Sequence, residues 1–100
     1  MAAWEALQGF YSALPQLDSE VKSKSFNLWT ESYGGHYGPA FFNHFHEQNE
    51  KIAKGESQGV QLEFNTLGIM NGIIDEAIQA NYYPEFARNN TYGIEAVSFE

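Results

Sequence analysis

The sequence contains no cysteine, so it offers neither a disulfide framework nor a direct sign of redox compartment. It is also short of positive charge. Five lysine and arginine residues stand against thirteen aspartate and glutamate residues, for a net charge of −8. Nucleic acid is therefore excluded as a partner class, because neutralising phosphates takes clustered basic side chains. No stretch approaches about 18 consecutive apolar residues, so no membrane-spanning helix is expected. The opening Met1-Ala2-Ala3-Trp4-Glu5 lacks the basic start and continuous apolar centre of a secretory signal, which leaves either a cytosolic chain or one whose true beginning lies elsewhere. Internal repeats, low-complexity blocks and interdomain linkers are missing as well.

The residues that are present describe a packing chain. Hydrophobic residues make up 43% and aromatic residues 16% of 100 residues, which is enough for one small domain burying roughly two-thirds of its unfolded surface. Trp4, Leu7, Phe10, Tyr11 and Leu14 recur at three- and four-residue spacing, so residues 3–14 are expected to form an amphipathic helix with an aromatic core stripe, ended by Pro15. A polar connector covers residues 18–25. Residues 39–54 are expected to form a second helix, with Phe41, Phe45 and Ile52 on one face and Gly55 as its stop. After a surface loop at residues 56–59, Val60, Leu62 and Phe64 alternate with polar residues and run into Leu67-Gly68-Ile69-Met70, the pattern of a strand entering a sheet covered on both faces. A third helix is expected over residues 75–83, capped near Ile74 or Asp75 and broken by Pro84. A loop at residues 88–90 follows, and a further helix is expected to begin within residues 92–100.

The stretch from Phe26 to Phe42, FNLWTESYGGHYGPAFF, carries the chemistry. Residues 26–30 form an apolar run too short for a helix and rich in aromatic side chains, as expected of a buried strand. Ser32 follows in a turn, and Gly34 and Gly35 remove the side chains that would clash as the chain reverses into a helix behind it. A serine on such a strand-to-helix turn projects its hydroxyl, while the next residue's N–H and the positive helix end face any oxyanion that forms. The hydrolase form of this turn is G-x-S-x-G, and here Thr30 replaces the first glycine. Taken alone, the turn is either a nucleophile or an ordinary loop.

Two segments resemble landmarks of the serine carboxypeptidase family. TESYGGHYGPAFF is similar to its nucleophile turn, with glutamate before the serine and tyrosine after it. LGIMNGIIDEAIQANYY, residues 67–83, is similar to its strand ending in Asn-Gly followed by a polar helix. The likeness is strongest to secreted fungal members, which carry threonine where others have glycine, and it covers the chain from Trp4 onward but a minor part of the family's usual length. The resemblance implies an α/β fold: part of an α/β-hydrolase domain, ordered helix, strand, nucleophile elbow, helix, strand, helix, with central parallel strands and residues 1–100 as a fragment of that single domain.

It further implies Ser32 as nucleophile, the Tyr33 N–H as one oxyanion-hole donor, and Glu31 as the reader of the substrate's terminal carboxylate. Read without the resemblance, Glu31 is an exposed turn acid. A glutamate can donate to a carboxylate only if one of the two holds a proton, and paired carboxyls raise one pKa, which suits work in acid. The triad acid and base and the second oxyanion donor are expected outside this segment. Asp75 is mismatched to the acid's place, and Asn71 and Gly72 are expected to shape the turn at the strand end. The implied partners are peptides with a free C-terminus and the rest of the hydrolase domain. No cofactor is implied. Location is implied to be secreted or vacuolar, which agrees with the glycosylation sequon Asn89-Asn90-Thr91, whose acceptor is Asn89. The alternatives are a non-catalytic remnant of the fold, or an esterase using the same turn. His36, His44, His46 and Glu47 are metal ligands by type, but residues two apart point about 200° around a helix, so His44 and His46 cannot share an ion and no metal is expected.

Overall fold

The computed structural model describes residues 1–98. Helix α1 (Ala2–Leu17) leads into strand β1 (Ser25–Glu31), helix α2 (Gly34–Ala53), strand β2 (Glu63–Met70) and two single helical turns, α3 (Glu76–Gln79) and α4 (Tyr83–Phe86). The strands pair in parallel, as their apolar runs and the intervening helix predict. The register runs from Ser25↔Glu63 to Glu31↔Met70 and slips once, between Phe26 and Asn27. Among the described residues this two-stranded sheet is the only one.

Along β1, Phe26, Leu28 and Thr30 are half-buried while Asn27, Trp29 and Glu31 are exposed, so one face meets α2 and the other meets solvent. Aromatic side chains tie the elements together. Phe45 of α2 touches Trp4 of α1 (centroids 5.7 Å apart) and Phe26 of β1 (6.0 Å), and Phe42 meets Phe64 of β2 edge-on (5.3 Å). Phe45 and Leu62 are the buried apolar side chains among the described residues. The radius of gyration is 19.7 Å, against about 13 Å for a closed 100-residue domain, so the chain is more extended than a self-contained domain of that length. The sheet is not covered on both faces. Trp29 and Met70 remain 64% and 51% exposed on the side away from α2.

Proline placement differs from expectation in three ways. Helix α1 continues through Pro15 to Leu17 and closes with the Asp18 N–H on the Leu14 carbonyl, because a proline in the last turn removes a single rung. Its stripe is half-buried except for Phe10, which is exposed. Helix α2 starts at Gly34, five residues before Pro39, so Pro39 lies inside it. The end is nearer expectation, with Lys54 as C-cap and Gly55 beyond it at φ +75°. The helix expected over residues 75–83 is instead two turns. Pro84 opens the second one, where its missing N–H has no rung to lose. Asp75 does cap α3, its side chain accepting from the Ile78 N–H at 3.1 Å.

β2 begins at Glu63, later than the alternation from Val60 predicts. Gln8 of α1 accepts from the Val60 N–H (2.7 Å) and donates to its carbonyl (2.9 Å), and Asn49 of α2 does the same for Leu62 (2.7 and 2.8 Å). These backbone groups are satisfied by side chains instead of by a ladder. Residues 92–98 form no helix, and the rest of the helix expected there lies outside the described residues.

Candidate active site

Ser32 stands between the last residue of β1 and the first turn of α2, with a backbone φ of +57°. A serine in the left-handed region is sterically costly and persists only where its surroundings hold it. Here they do. The Ser32 N–H donates to the Met70 carbonyl (3.0 Å), and the Ser32 carbonyl accepts from the N–H groups of Ile73 (2.8 Å) and Gly35 (3.0 Å). The peptide groups around the serine are thus tied to the end of β2, to the segment that follows it and to the first turn of α2, while its side chain stays exposed and makes no hydrogen bond among the described residues.

Close backbone approach explains the glycines. A Cβ on Gly35 would collide with the Ile73 carbonyl, and one on Gly34 would lie 2.5 Å from Thr30 Cβ. Gly38, one turn further along α2, would press on Thr30 Oγ1 at 2.7 Å. Thr30 therefore occupies the place between strand and helix that these glycines leave open, and its hydroxyl donates to the Gly34 carbonyl at 2.9 Å. The threonine that breaks the G-x-S-x-G pattern is a fastener at the head of α2.

At that head the N–H groups of Gly35, His36 and Tyr37 have acceptors, the Ser32 and Tyr33 carbonyls. Those of Tyr33 and Gly34 have none among the described residues. They lie beside Ser32 at the positive end of a 20-residue helix, where the aligned peptide dipoles favour negative charge. Glu31 is the final ladder residue of β1, exposed on the sheet face opposite α2. The Tyr33 ring is exposed as well and packs on His36 (4.8 Å) and Tyr37 (5.2 Å).

Asn71 and Gly72 shape the turn at the strand end, as expected, while the roles of Ile73 and Gln79 as anchors of that turn emerge only in the structure. Asn71 has φ +45°, and a Cβ on Gly72 would lie 2.5 Å from Ile69 Cγ2. Gln79 donates to the Gly72 carbonyl (2.8 Å) and accepts from the N–H groups of Ile74 (2.7 Å) and Asp75 (3.0 Å), so one side chain holds the segment whose Ile73 N–H anchors Ser32. The Gln79 bonds are local, reaching back four to seven residues, whereas the Ile73–Ser32 bond joins residues about forty positions apart and leaves no signal in the local pattern. Asp75 is occupied as a helix cap.

The histidines do not converge. His36 packs on Tyr33, His44 meets the edge of Phe45, and His46 lies 3.7 Å from Glu50, whose carboxylate also accepts from Lys54 at 3.0 Å. Among the described residues no three histidine, cysteine, aspartate or glutamate side chains group as a metal site, and no helix is long and apolar enough to cross a membrane. Asn89 follows α4, exposed.

Comparison with known proteins adds an independent line. The family described as serine carboxypeptidase matches residues 1–97. Carboxypeptidase S1 homolog A of Arthroderma otae is 44% identical over 97 residues, which is 93% of this chain and 15% of that protein. Carboxypeptidase S1 of Penicillium janthinellum is 43% identical over 89 residues, 89% of this chain and 20% of that protein. Carboxypeptidase Y homolog of Arthroderma benhamiae is 42% identical over 84 residues, 83% of this chain and 13% of that protein. No solved structure gives a significant match.

Proposed function

Since the chain belongs to the serine carboxypeptidase family, we propose that it carries the nucleophile turn of a serine-type carboxypeptidase, which releases C-terminal amino acids from peptides through an acyl-enzyme on Ser32. The chain spans about 15% of the length of several of its curated relatives, so the proposal concerns a whole of which these residues are a part. In it, residues 1–100 belong to one α/β-hydrolase domain. β1, the Ser32 turn and α2 form its nucleophile elbow, and the rest of the domain supplies the triad base and acid and a second oxyanion donor.

The observation that carries this reading is the serine itself: held at φ +57° by bonds to Met70, Ile73 and Gly35, with the uncommitted N–H of Tyr33 next to it. Ser32 Oγ attacks the scissile carbonyl carbon as the base takes its proton. The Tyr33 N–H, which has no acceptor among the described residues, donates to the oxygen on which charge develops, and its fixed place at the head of α2 means that little reorganisation is needed. Collapse of the tetrahedral intermediate breaks the C–N bond, and the departing amino acid takes the proton. Water then attacks the ester by the reverse roles and frees the shortened peptide. Glu31, one residue before the nucleophile, shares a proton with the substrate's terminal carboxylate. This distinguishes a carboxypeptidase from an esterase, which has no use for that proton. A secreted or vacuolar setting suits acid-favoured chemistry of this kind.

The test is Ser32→Ala in the full-length parent, assayed on blocked dipeptides. Loss of kcat by roughly 10⁶-fold, with the fold retained, is expected when the nucleophile of a triad is removed. Retained peptidase activity would remove Ser32 from the mechanism, and a parent inert on peptides and esters alike would make this a non-catalytic relative of the family. The 100-residue chain alone is expected to give no turnover.

A further inference from the structure

We propose that Gln79 is a positioning residue for the oxyanion donor, acting on the Tyr33 N–H through two intervening peptide groups. The inference rests on the carboxypeptidase reading of Ser32 and adds a residue outside the turn that sets its strength. Gln79 is the half-buried residue of α3, whose Glu76, Ala77 and Ile78 are exposed. Its Nε2 donates to the Gly72 carbonyl at 2.8 Å. That carbonyl shares a peptide group with the Ile73 N–H, which donates to the Ser32 carbonyl at 2.8 Å. The Ser32 carbonyl in turn shares a peptide group with the Tyr33 N–H, which has no acceptor among the described residues.

Both peptide groups are trans, so in each the C=O and the N–H point in opposite directions. Gln79 and the two peptide groups therefore form one head-to-tail row of donors and acceptors, and the open end of the row is the Tyr33 N–H. The peptide between Gly72 and Ile73 is gripped at its oxygen by Gln79 and at its nitrogen by Ser32. Rotation of the peptide between Ser32 and Tyr33 would break that second bond. Each bond also polarises the next in the same sense, so donation by Gln79 strengthens the Tyr33 N–H toward developing negative charge. The other half of the amide has a separate task. Gln79 Oε1 accepts from the N–H groups of Ile74 (2.7 Å) and Asp75 (3.0 Å), which holds the side chain against the segment whatever Nε2 does.

The experiment is Gln79→Glu in the full-length parent, assayed at neutral pH on a blocked ester with no free carboxylate, so that the state of Glu31 does not enter. An ionised glutamate still accepts from Ile74 and Asp75 but has no hydrogen for the Gly72 carbonyl. The expected result is a fall in kcat of roughly 10-fold, short of the roughly 10²–10³-fold that follows outright loss of an oxyanion donor, with KM little changed. A substrate-like aldehyde, which adds to the serine and places an oxyanion in the site, should lose affinity by the same factor, while the matching alcohol, which cannot add, should bind as before. Gln79→Met repeats the measurement without a new charge, and its aldehyde-to-alcohol preference should fall at least as far. Asn81→Ala is the local control: it removes a neighbouring bond, Asn81 Nδ2 to the Ala77 carbonyl (2.8 Å), and should leave kcat unchanged. Unaltered kcat and aldehyde affinity at Gln79, or equal losses for aldehyde and alcohol, would overturn the proposal. Ser32→Ala in parallel separates the two readings. A parent silenced by Ser32→Ala but indifferent to Gln79→Glu keeps its nucleophile and loses only this inference, whereas one whose activity survives Ser32→Ala loses both.

Discussion

Ser32 and Asn71 each follow the last rung of the parallel ladder, Glu31↔Met70, and both stand at positive φ, +57° and +45°. Two non-glycine residues turn left-handed side by side at the same end of the sheet. The segment after Asn71 passes in front of the Ser32 turn, so that Ile73 meets both the Ser32 carbonyl and the Cα of Gly35. The Ser32 turn and the Asn-Gly turn are therefore one structure, and a defect in either should reach the serine.

Gly35→Ala tests that contact. Its Cβ would meet the Ile73 carbonyl, backbone that cannot swing aside, so a loss of about 3 kcal/mol is expected together with a displaced Ser32. Gly9→Ala is the control. Nothing lies within 4 Å of a Cβ there, and alanine in a helix interior should stabilise by about 1 kcal/mol. Urea unfolding of the two variants should shift in opposite directions.

Asn49→Ala should be costly for its size. The buried amide is the partner of both the N–H and the carbonyl of Leu62, and its removal leaves two enclosed backbone groups unsatisfied. A destabilisation of about 2–4 kcal/mol is expected from urea midpoints, with the entry to β2 losing amide-exchange protection first.

Tyr11 couples stability to alkaline pH. Its hydroxyl donates to the Ser25 carbonyl at 2.6 Å, and burial pushes the phenol above its ordinary pKa. The folded state therefore holds the proton more tightly than the unfolded chain does. The contribution is fully present below the ordinary tyrosine pKa and is lost as pH rises through the raised folded value. Tyr11→Phe should cost about 1 kcal/mol at neutral pH and make unfolding less sensitive to pH in the alkaline limb, as followed by circular dichroism.

Glu31→Gln, made in the full-length parent, separates carboxylate recognition from the chemistry of the serine. Glutamine keeps a donor but cannot ionise. Peptide binding should weaken modestly in acid and the fall of kcat/KM toward neutral pH should flatten, while ester and amide substrates without a free carboxylate should scarcely respond. An unchanged pH profile on free-carboxylate peptides would leave Glu31 an ordinary exposed acid at the end of β1.

The sequence by itself determined those features that depend on near neighbours. The apolar runs around Leu28 and Leu67, the glycines behind Ser32 and the cap at Asp75 are local preferences: both strands, the turn and the cap are present, although the helix behind Asp75 stops after one turn. Proline misled where position within a turn decides its cost. Pro15 and Pro39 each remove one rung from helices long enough to continue, and Pro84 sits where no rung exists. Tertiary structure alone decided which groups are satisfied. Val60 and Leu62 look like ladder residues until Gln8 and Asn49 take their backbone groups, and Thr30 looks like a departure from the glycine pattern until it fills the space left by Gly34 and Gly38. The same is true of the candidate site. The order of Glu31, Ser32 and Tyr33 is written in the chain, but the bonds that hold Ser32 come from Met70 and Ile73, about forty residues away. Hydrogen bonds over that separation form only when the two strands align, so no local pattern encodes them.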